Sequence, residues 1–334
     1  MSNDTRTPSR SGIPRPGLPI APDALTGRGR RGIHLGDLLF GGSAWLSSLV
    51  IIVTVLVIGA FLLGNAWQPL LDNTANFFAD TIFDSSSRPP HFGVAALLWT
   101  TVLSSLIALL IAVPVAVGIA LLLTQYVGGR VSRWIGFVID LLAAVPSVIF
   151  GLWGIKVLGP ALQPVAHWLQ AHLGWFPLFG STQVTSPGTV FTASLVLALM
   201  ILPIITAVTR DVFAQTPREQ IEAALALGAT RWEVIRMAVL PYGRSGATAA
   251  AMLGLGRALG ETIAVMLILS ASSFDVSVFN GGETFASVIA RNAAEFDTTY
   301  KAGIYISAGL VLFVLTFAVN ALARIVAERG KAKS

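Results

Sequence analysis

The chain has 334 residues, 54% hydrophobic and only 12% charged, with no cysteine. Soluble domains carry about 25% charged residues, so the composition excludes a soluble globular protein, and the absence of cysteine excludes disulfides and thiolate chemistry. The net charge of +5 is not a nucleic-acid signal, because most basic residues flank apolar runs, where they set membrane orientation.

Residues 1–42, rich in Pro, Gly, Ser and Arg, read as a disordered basic tail. No cleavable leader is evident, so the first apolar run reads as a retained anchor. Apolar stretches of roughly 20 residues, the length a bilayer requires, fall at 43–64, 94–124, 135–158, 189–209, 245–271 and 302–323. The second is longer than a straight crossing needs; it tilts, bends near Pro114 or projects from the bilayer. The expected organisation is the tail, a first span at 43–64, an extracytoplasmic segment at 65–92, a five-helix core at 93–325 and a cytoplasmic tail at 326–334.

Lys and Arg set the orientation. With the N-terminus cytoplasmic, all 22 fall on the inner side except Arg88, Lys156, Arg291, Lys301 and the intramembrane Arg257. Both termini are therefore expected inside. The outer segments 65–92 and 159–188 carry Trp67, Phe77, Phe78, Phe83, Trp168 and Trp175. They read as short interfacial helices with turns, forming either an aromatic belt or a docking surface for an extracytoplasmic partner.

Polar residues in the spans are candidates for a pathway. Thr101 and Ser104 offer hydroxyls in the second span, although such groups commonly bond back to their own helix. Ser147 follows Pro146, where the third span is expected to bend. Asp140 is expected to pair with a local arginine such as Arg133. His167 and His172 are five apart, a poor spacing for a shared metal, and no metal site is expected.

The segment after the fourth span carries helix signals. Thr216 with Glu219, and Thr230 with Glu233, read as capping boxes, with Pro217 at a first helical position. Gly228 stands between them where a left-handed cap is needed. Pro241 is expected to stop the second helix. Two short helices joined by a sharp turn follow. Their apolar residues are Ile221, Ala224 and Leu225, then Trp232, Ile235 and Val239. Such a pair either rests on lipid headgroups or fits a groove in a partner protein.

The fifth span holds Arg257 and Glu261. A charge at the bilayer centre costs roughly 2.5–3.5 kcal/mol on insertion scales. Arg257 lies about 18 Å along a helix entering at Ser245, near the middle of a hydrocarbon core about 30 Å thick. Glu261 is one turn further, placed to offset its charge, and Gly246, Gly254, Gly256 and Gly260 allow close helix approach. A guanidinium suits an oxyanion through two parallel charge-assisted hydrogen bonds. The other reading is an ion pair that only fixes helix packing. In helices the better order is Glu before Arg at four residues' spacing, and here it is reversed, so another helix or subunit is expected to share one of these groups.

Glu222-Ala223-Ala224, three residues, Gly228 and then Leu240-Pro241 resemble the EAA loop of ABC-importer permeases, with Ala238 where an aliphatic residue is usual. In that family this loop docks into the ATP-hydrolysing subunit, which implies a coupling role for Glu222, Ala223, Ala224, Gly228, Trp232, Leu240 and Pro241. Met252 to Val265, Leu141 to Gly154 and Ser105 to Pro114 resemble the PstC-type permeases of phosphate importers. The likeness covers about residues 90–325. It implies an all-α membrane protein of the type I, MetI-like permease fold, with six transmembrane helices, cytoplasmic termini and cytoplasmic coupling helices. It also implies a second, PstA-like permease, two PstB-like ATPase subunits and an extracytoplasmic PstS-like phosphate-binding protein. Arg257 and Glu261 become a mid-membrane gate or anion site, with Ser147, Thr101 and Ser104 on the pathway. No Gly-x-x-x-x-Gly-Lys-Ser/Thr occurs, so ATP and Mg are expected on the partner ATPase and no cofactor or enzymatic activity on this chain. The alternatives are a permease for another oxyanion such as sulfate, an ATP-independent ion-coupled transporter, or an added signalling role.

Overall fold

The structure, a computed structural model, describes residues 35–331 except 88 and 181–185. The expected tail lies outside the described residues up to position 34, as do Arg88 and the last three residues. The helices are α1 (Leu35–Asp72), α2 (Ala95–Leu121), α3 (Gly129–Ala143), α4 (Ser147–Trp153), α5 (Gly159–Leu173), α6 (Val190–Ala214) and α7 (Arg218–Ala226). They continue with α8 (Arg231–Val234), α9 (Leu240–Leu259), α10 (Ile263–Ile268), α11 (Phe285–Arg291) and α12 (Thr299–Lys331). Among the described residues the one sheet is a hairpin of β1 (Phe83–Asp84) and β2 (His91–Phe92), antiparallel, with Phe83 opposite Phe92.

The chain divides into two compact units at Leu56. The first contains the start of α1, where Trp45, Val50, Ile51 and Leu56 are exposed. Apolar residues around the whole helix are what a lipid-facing segment requires. The second unit, from Val57, holds the core. There α2 and α6 make the most extensive helix pair. Ala108, Ala112, Ala116 and Ala120 are fully buried at four-residue spacing along α2. Small side chains at that spacing let α6 come close, where Leu197, Ile201 and Ile205 are buried. A second cluster joins Val94, Leu97, Phe285, Val288 and Tyr305.

Among the described residues, five helical runs are long and apolar enough to cross a membrane: Gly41–Asp72, Ala95–Tyr126, Ser147–Leu173, Val190–Ala214 and Thr299–Ile325. Two of the six expected spans differ. The third, expected at 135–158, is broken at Ala144–Pro146. Pro146 precedes α4 with extended backbone (ψ 139°), and an unbroken helical run through α4, a π turn and α5 continues to Leu173. Residues 159–173, expected in an outer loop, therefore belong to this helix. What precedes the break, α3, is a separate amphipathic helix burying Gly136 and Ile139. The fifth, expected at 245–271, divides into α9 and α10 around Gly260–Thr262.

Smaller differences have local causes. The segment 65–92 contains the end of α1 and the hairpin, not separate interfacial helices. Asp80 accepts from the Ile82 amide, which with His91 at 2.9 Å holds its carboxyl below the usual carboxylate range. Pro114 lies inside α2, which runs on into a π turn at Leu122–Tyr126. α12 continues to Lys331, through most of the expected tail 326–334. Asp140 meets Arg210 of α6 at 3.9 Å, not Arg133; the Arg210 guanidinium lies against α3 at Gly136.

Candidate functional site

The interrupted helix α9–α10 begins on α6. Gly243 faces the Phe213 ring, and a methyl group on Gly254 would stand 2.6 Å from Ile205 Cδ1. These glycines are where two backbones need to approach. Gly256 meets open space instead, and one residue further Arg257 is exposed in the last turn of α9. The Arg257 side chain has no hydrogen-bond or ion-pair partner among the described residues. The partly negative C-terminal end of α9 favours a cation in this turn.

The helix ends at Leu259, and Glu261 lies in the break. Its Oε1 accepts from the Ala264 amide at 3.3 Å, which caps α10. The expected offset of Arg257 by Glu261 is thus not formed: the backbone leaves the helix between them, and the carboxylate turns forward to α10. The two interrupted helices meet beyond their breaks. α10 packs on α4, where a methyl group on Gly151 would lie 2.9 Å from Ala264 Cα. Ser147, half-buried, opens α4 immediately after Pro146.

Thr101 and Ser104 lie elsewhere. Both are buried. Thr101 Oγ1 donates to the Leu97 carbonyl at 2.7 Å and accepts from the Phe285 amide at 3.2 Å, and Ser104 Oγ donates to the Thr101 carbonyl at 3.3 Å. These hydroxyls serve the backbone of α2 and the start of α11. The buried Ser105 Oγ and Thr209 Oγ1 have no hydrogen-bond partner among the described residues.

The segment between α6 and α9 is a helix, a turn and a second helix. At the turn Gly228 has φ +84°. Thr230 accepts from the Glu233 amide at 3.4 Å, and Glu233 Oε2 accepts from the Thr230 amide at 2.7 Å, a complete capping box. These bonds hold the Glu233 carboxyl below its usual range. The first expected box is not formed. Thr216 Oγ1 donates back to the Phe213 carbonyl at 2.9 Å, ending α6, and α7 starts without a side-chain cap. Pro241 does not stop the second helix either. A π turn over Ile235–Val239 joins α8 to α9 without a gap, so Pro241 lies directly after the π turn in a continuous helical run, where the altered hydrogen-bond ladder of a π turn accommodates a residue with no amide donor. Ile235 and Val239 are buried, whereas Trp232 faces out at 60% exposure and Leu227 at 90%. Glu222 and Ala223 are exposed on α7, Ala224 is half-buried, and Leu240 and Pro241 lie at the start of α9.

Residues 112–331 match the family described as "Binding-protein-dependent transport system inner membrane component". Over 314 residues the chain is 54% identical to the phosphate transport system permease protein PstC 2 of Mycobacterium tuberculosis, covering 92% of this chain and 97% of the relative. It is 57% identical over 269 residues to PstC of Mycobacterium leprae, covering 79% and 84%. The chain belongs to the PstC permease family. Its fold is that of ABC-importer permeases: 70% of it superposes on 96% of a chain of the inward-facing methionine transporter MetNI, with TM-score 0.51 at 16% identity. It is a multi-pass membrane protein.

Within this PstC-family chain the matched region contains both interrupted helices and the helix–turn–helix. One charged group there escaped the sequence reading. Arg291, at the end of α11, places Nε 3.1 Å from Glu283 Oε1 and donates through Nη2 to the carbonyls of Leu269 at 2.9 Å and Met266 at 3.3 Å. Burial pushes the Glu283 carboxyl up, against the opposing pull of Arg291. No sequence signal links Arg291 to α10, because it lies 22 residues beyond Leu269 and 25 beyond Met266 in the chain. Glu283 also lines a cleft of about 450 Å³ with Thr100, Ser272, Ser273 and Asp275. Among the described residues no group of His, Asp and Glu could hold a metal ion.

Proposed function

We propose that this chain is the permease subunit of a phosphate importer, and that Arg257 is its anion contact. The observation that carries the reading is Arg257 itself: an arginine exposed beside a helix break, its side chain without a partner among the described residues, in a protein of the PstC family. A guanidinium in a membrane protein needs a counter-charge. Phosphate passing along the exposed side of α9 supplies one, transiently and in bidentate form. The open face at Gly256 and Gly260 is where a second, PstA-like permease would close the pathway, with Ser147 at its margin. Glu261 acts on the pathway through α10, which it caps, and Thr101 and Ser104 through the packing of α11.

Both termini are placed in the cytoplasm by the distribution of Lys and Arg. The exposed Glu222, Ala223, Leu227 and Trp232 then face the cytoplasm and dock into PstB-like ATPase subunits. Those subunits bind ATP and Mg, since this chain carries no P-loop sequence. Because α8 is continuous with α9 through the π turn, movement of the docked pair passes directly into the helix bearing Arg257. A PstS-like binding protein delivers phosphate at the other side.

The test is phosphate uptake by the assembled transporter carrying Arg257→Gln. Uptake is expected to be lost while the subunits still co-purify. Failure to assemble would make Arg257 a packing residue, and competition of labelled phosphate by sulfate at equal concentration would assign a broader oxyanion substrate.

A further inference from the structure

We propose that Arg291 is a positioning residue for transport, a latch that fixes α10 relative to α11 and thereby sets the geometry of the helix break beside Arg257. The proposal rests on the transport reading above for its functional consequence, and on hydrogen bonds for its geometry.

α10 is only six residues long, too short to hold its own conformation. Its first turn is capped by Glu261, whose Oε1 takes the Ala264 amide. Its last turn leaves carbonyls with no intrahelical donor, and Arg291 Nη2 takes those of Met266 and Leu269. An acid at the N-terminal end and a base at the C-terminal end both match the helix dipole. Arg291 uses Nε at the same time for Glu283, so one planar fork joins α10, the preceding loop and the end of α11. A lysine has no such geometry.

Apolar packing alone would place α10 in the core, since Val265 and Ile268 are buried. It would not need a half-buried ion pair, whose desolvation makes it a poor source of stability. What the pair adds is a directional connection, fixed by the geometry of the guanidinium, that apolar packing of Val265 and Ile268 does not supply. Movement of α11 then reaches α10 through Arg291, and α10 carries it to the break at Gly260–Thr262 and to α4 at Gly151.

The experiment uses the assembled transporter with Val265→Cys, a near-isosteric reporter in a chain with no native cysteine. Thiol labelling at that buried position reports release of α10 whatever the substrate is. Arg291→Gln is expected to speed labelling at least about tenfold, as loss of a charge-assisted hydrogen bond implies. It should lower maximal uptake similarly with the half-saturating phosphate concentration unchanged, and Arg291→Lys should restore only part of it. Labelling and uptake within twofold of the parent would overturn the proposal, as would full restoration by lysine. Should Arg291→Gln fail to assemble, Glu283→Gln decides: faster labelling supports the latch, and a parental rate sinks it. If the parent itself takes up no phosphate, the transport reading fails, while the labelling comparison still tests the latch.

Discussion

The helix break at Gly260–Thr262 and the turn at Leu227–Thr230 are both interruptions between helices, and they are closed in opposite ways. At the turn every signal is local. Gly228 supplies the left-handed backbone, and Thr230 and Glu233 satisfy each other within three residues. At the break, Glu261 serves the helix ahead, Arg291 reaches back from the end of α11, and Arg257 is left open. A turn closed by its neighbours is a rigid shape to present to a partner. A break held from a distance, with a free cation beside it, is a place that can move and bind.

The largest expected effect is at Arg257. Because Glu261 caps α10 instead of pairing with Arg257, the two positions should separate sharply. Arg257→Gln is expected to lower uptake roughly thirtyfold or more, since it removes a bidentate contact of two charge-assisted hydrogen bonds, about 1.5–3 kcal/mol each. Glu261→Gln keeps a carbonyl oxygen for the Ala264 amide and should retain most uptake. Equal losses in the two variants, measured per assembled complex, would restore the paired reading and erase the contrast with the turn.

A smaller effect is expected where the two broken helices touch. Gly151→Val puts a branched side chain against Ala264, whose Cα lies 2.9 Å from where the first methyl group would stand. Overpacking of this kind costs about 1–3 kcal/mol. It should lower the melting temperature and uptake together, since α4 and α10 must separate. An unchanged melting temperature would mean that α10 accommodates displacement freely and that the break is not fixed by its contacts.

The same contrast explains what the sequence could and could not reveal. Gly228, Thr230 and Glu233 were legible because their partners are adjacent. The apolar runs of α2, α6 and α12 were legible because lipid-facing and core-facing residues are both hydrophobic. Thr216 misled because the same hydroxyl that can cap a following helix can also end the preceding one, and the Phe213 carbonyl won. The third span was misplaced because hydropathy is continuous across Pro146 while the backbone is not. The break after Leu259 was hidden for the same reason: Gly260, Glu261 and Thr262 are three residues in an apolar run, and what turns Glu261 forward is the amide of Ala264. Nothing near Arg291 in the sequence points to Met266 or Leu269.

At the turn, Gly228→Val forces a β-branched side chain into φ +84°. The strain is about 1–2 kcal/mol, and it falls on the exposed helix pair, not on the core. The chain should still fold, with near-parental melting of the whole transporter. ATPase co-purification should weaken, because α7 and α8 change their mutual angle. Loss of uptake with full ATPase binding would move the role of Gly228 from docking to transmission.

The smallest effect is expected from Thr230→Ala, which removes one half of the capping box and leaves the Glu233 amide without its acceptor. An N-cap threonine contributes about 1 kcal/mol. The loss should appear as faster hydrogen exchange at the start of α8, with uptake changed less than in Gly228→Val, because the left-handed turn itself is intact. The Glu233 carboxyl should rise only part of the way toward its ordinary range, since alanine keeps the backbone amide that is the larger cause of the depression and loses only the hydroxyl donor. A depressed pKa in the folded chain stabilises above the unfolded value and is lost as pH falls, so the parental cap should weaken in acid and the alanine variant should show less of that dependence. If exchange at α8 is instead unchanged by the substitution, the turn is held by the π turn and the buried Ile235 and Val239, and its closure is no more local than that of the break.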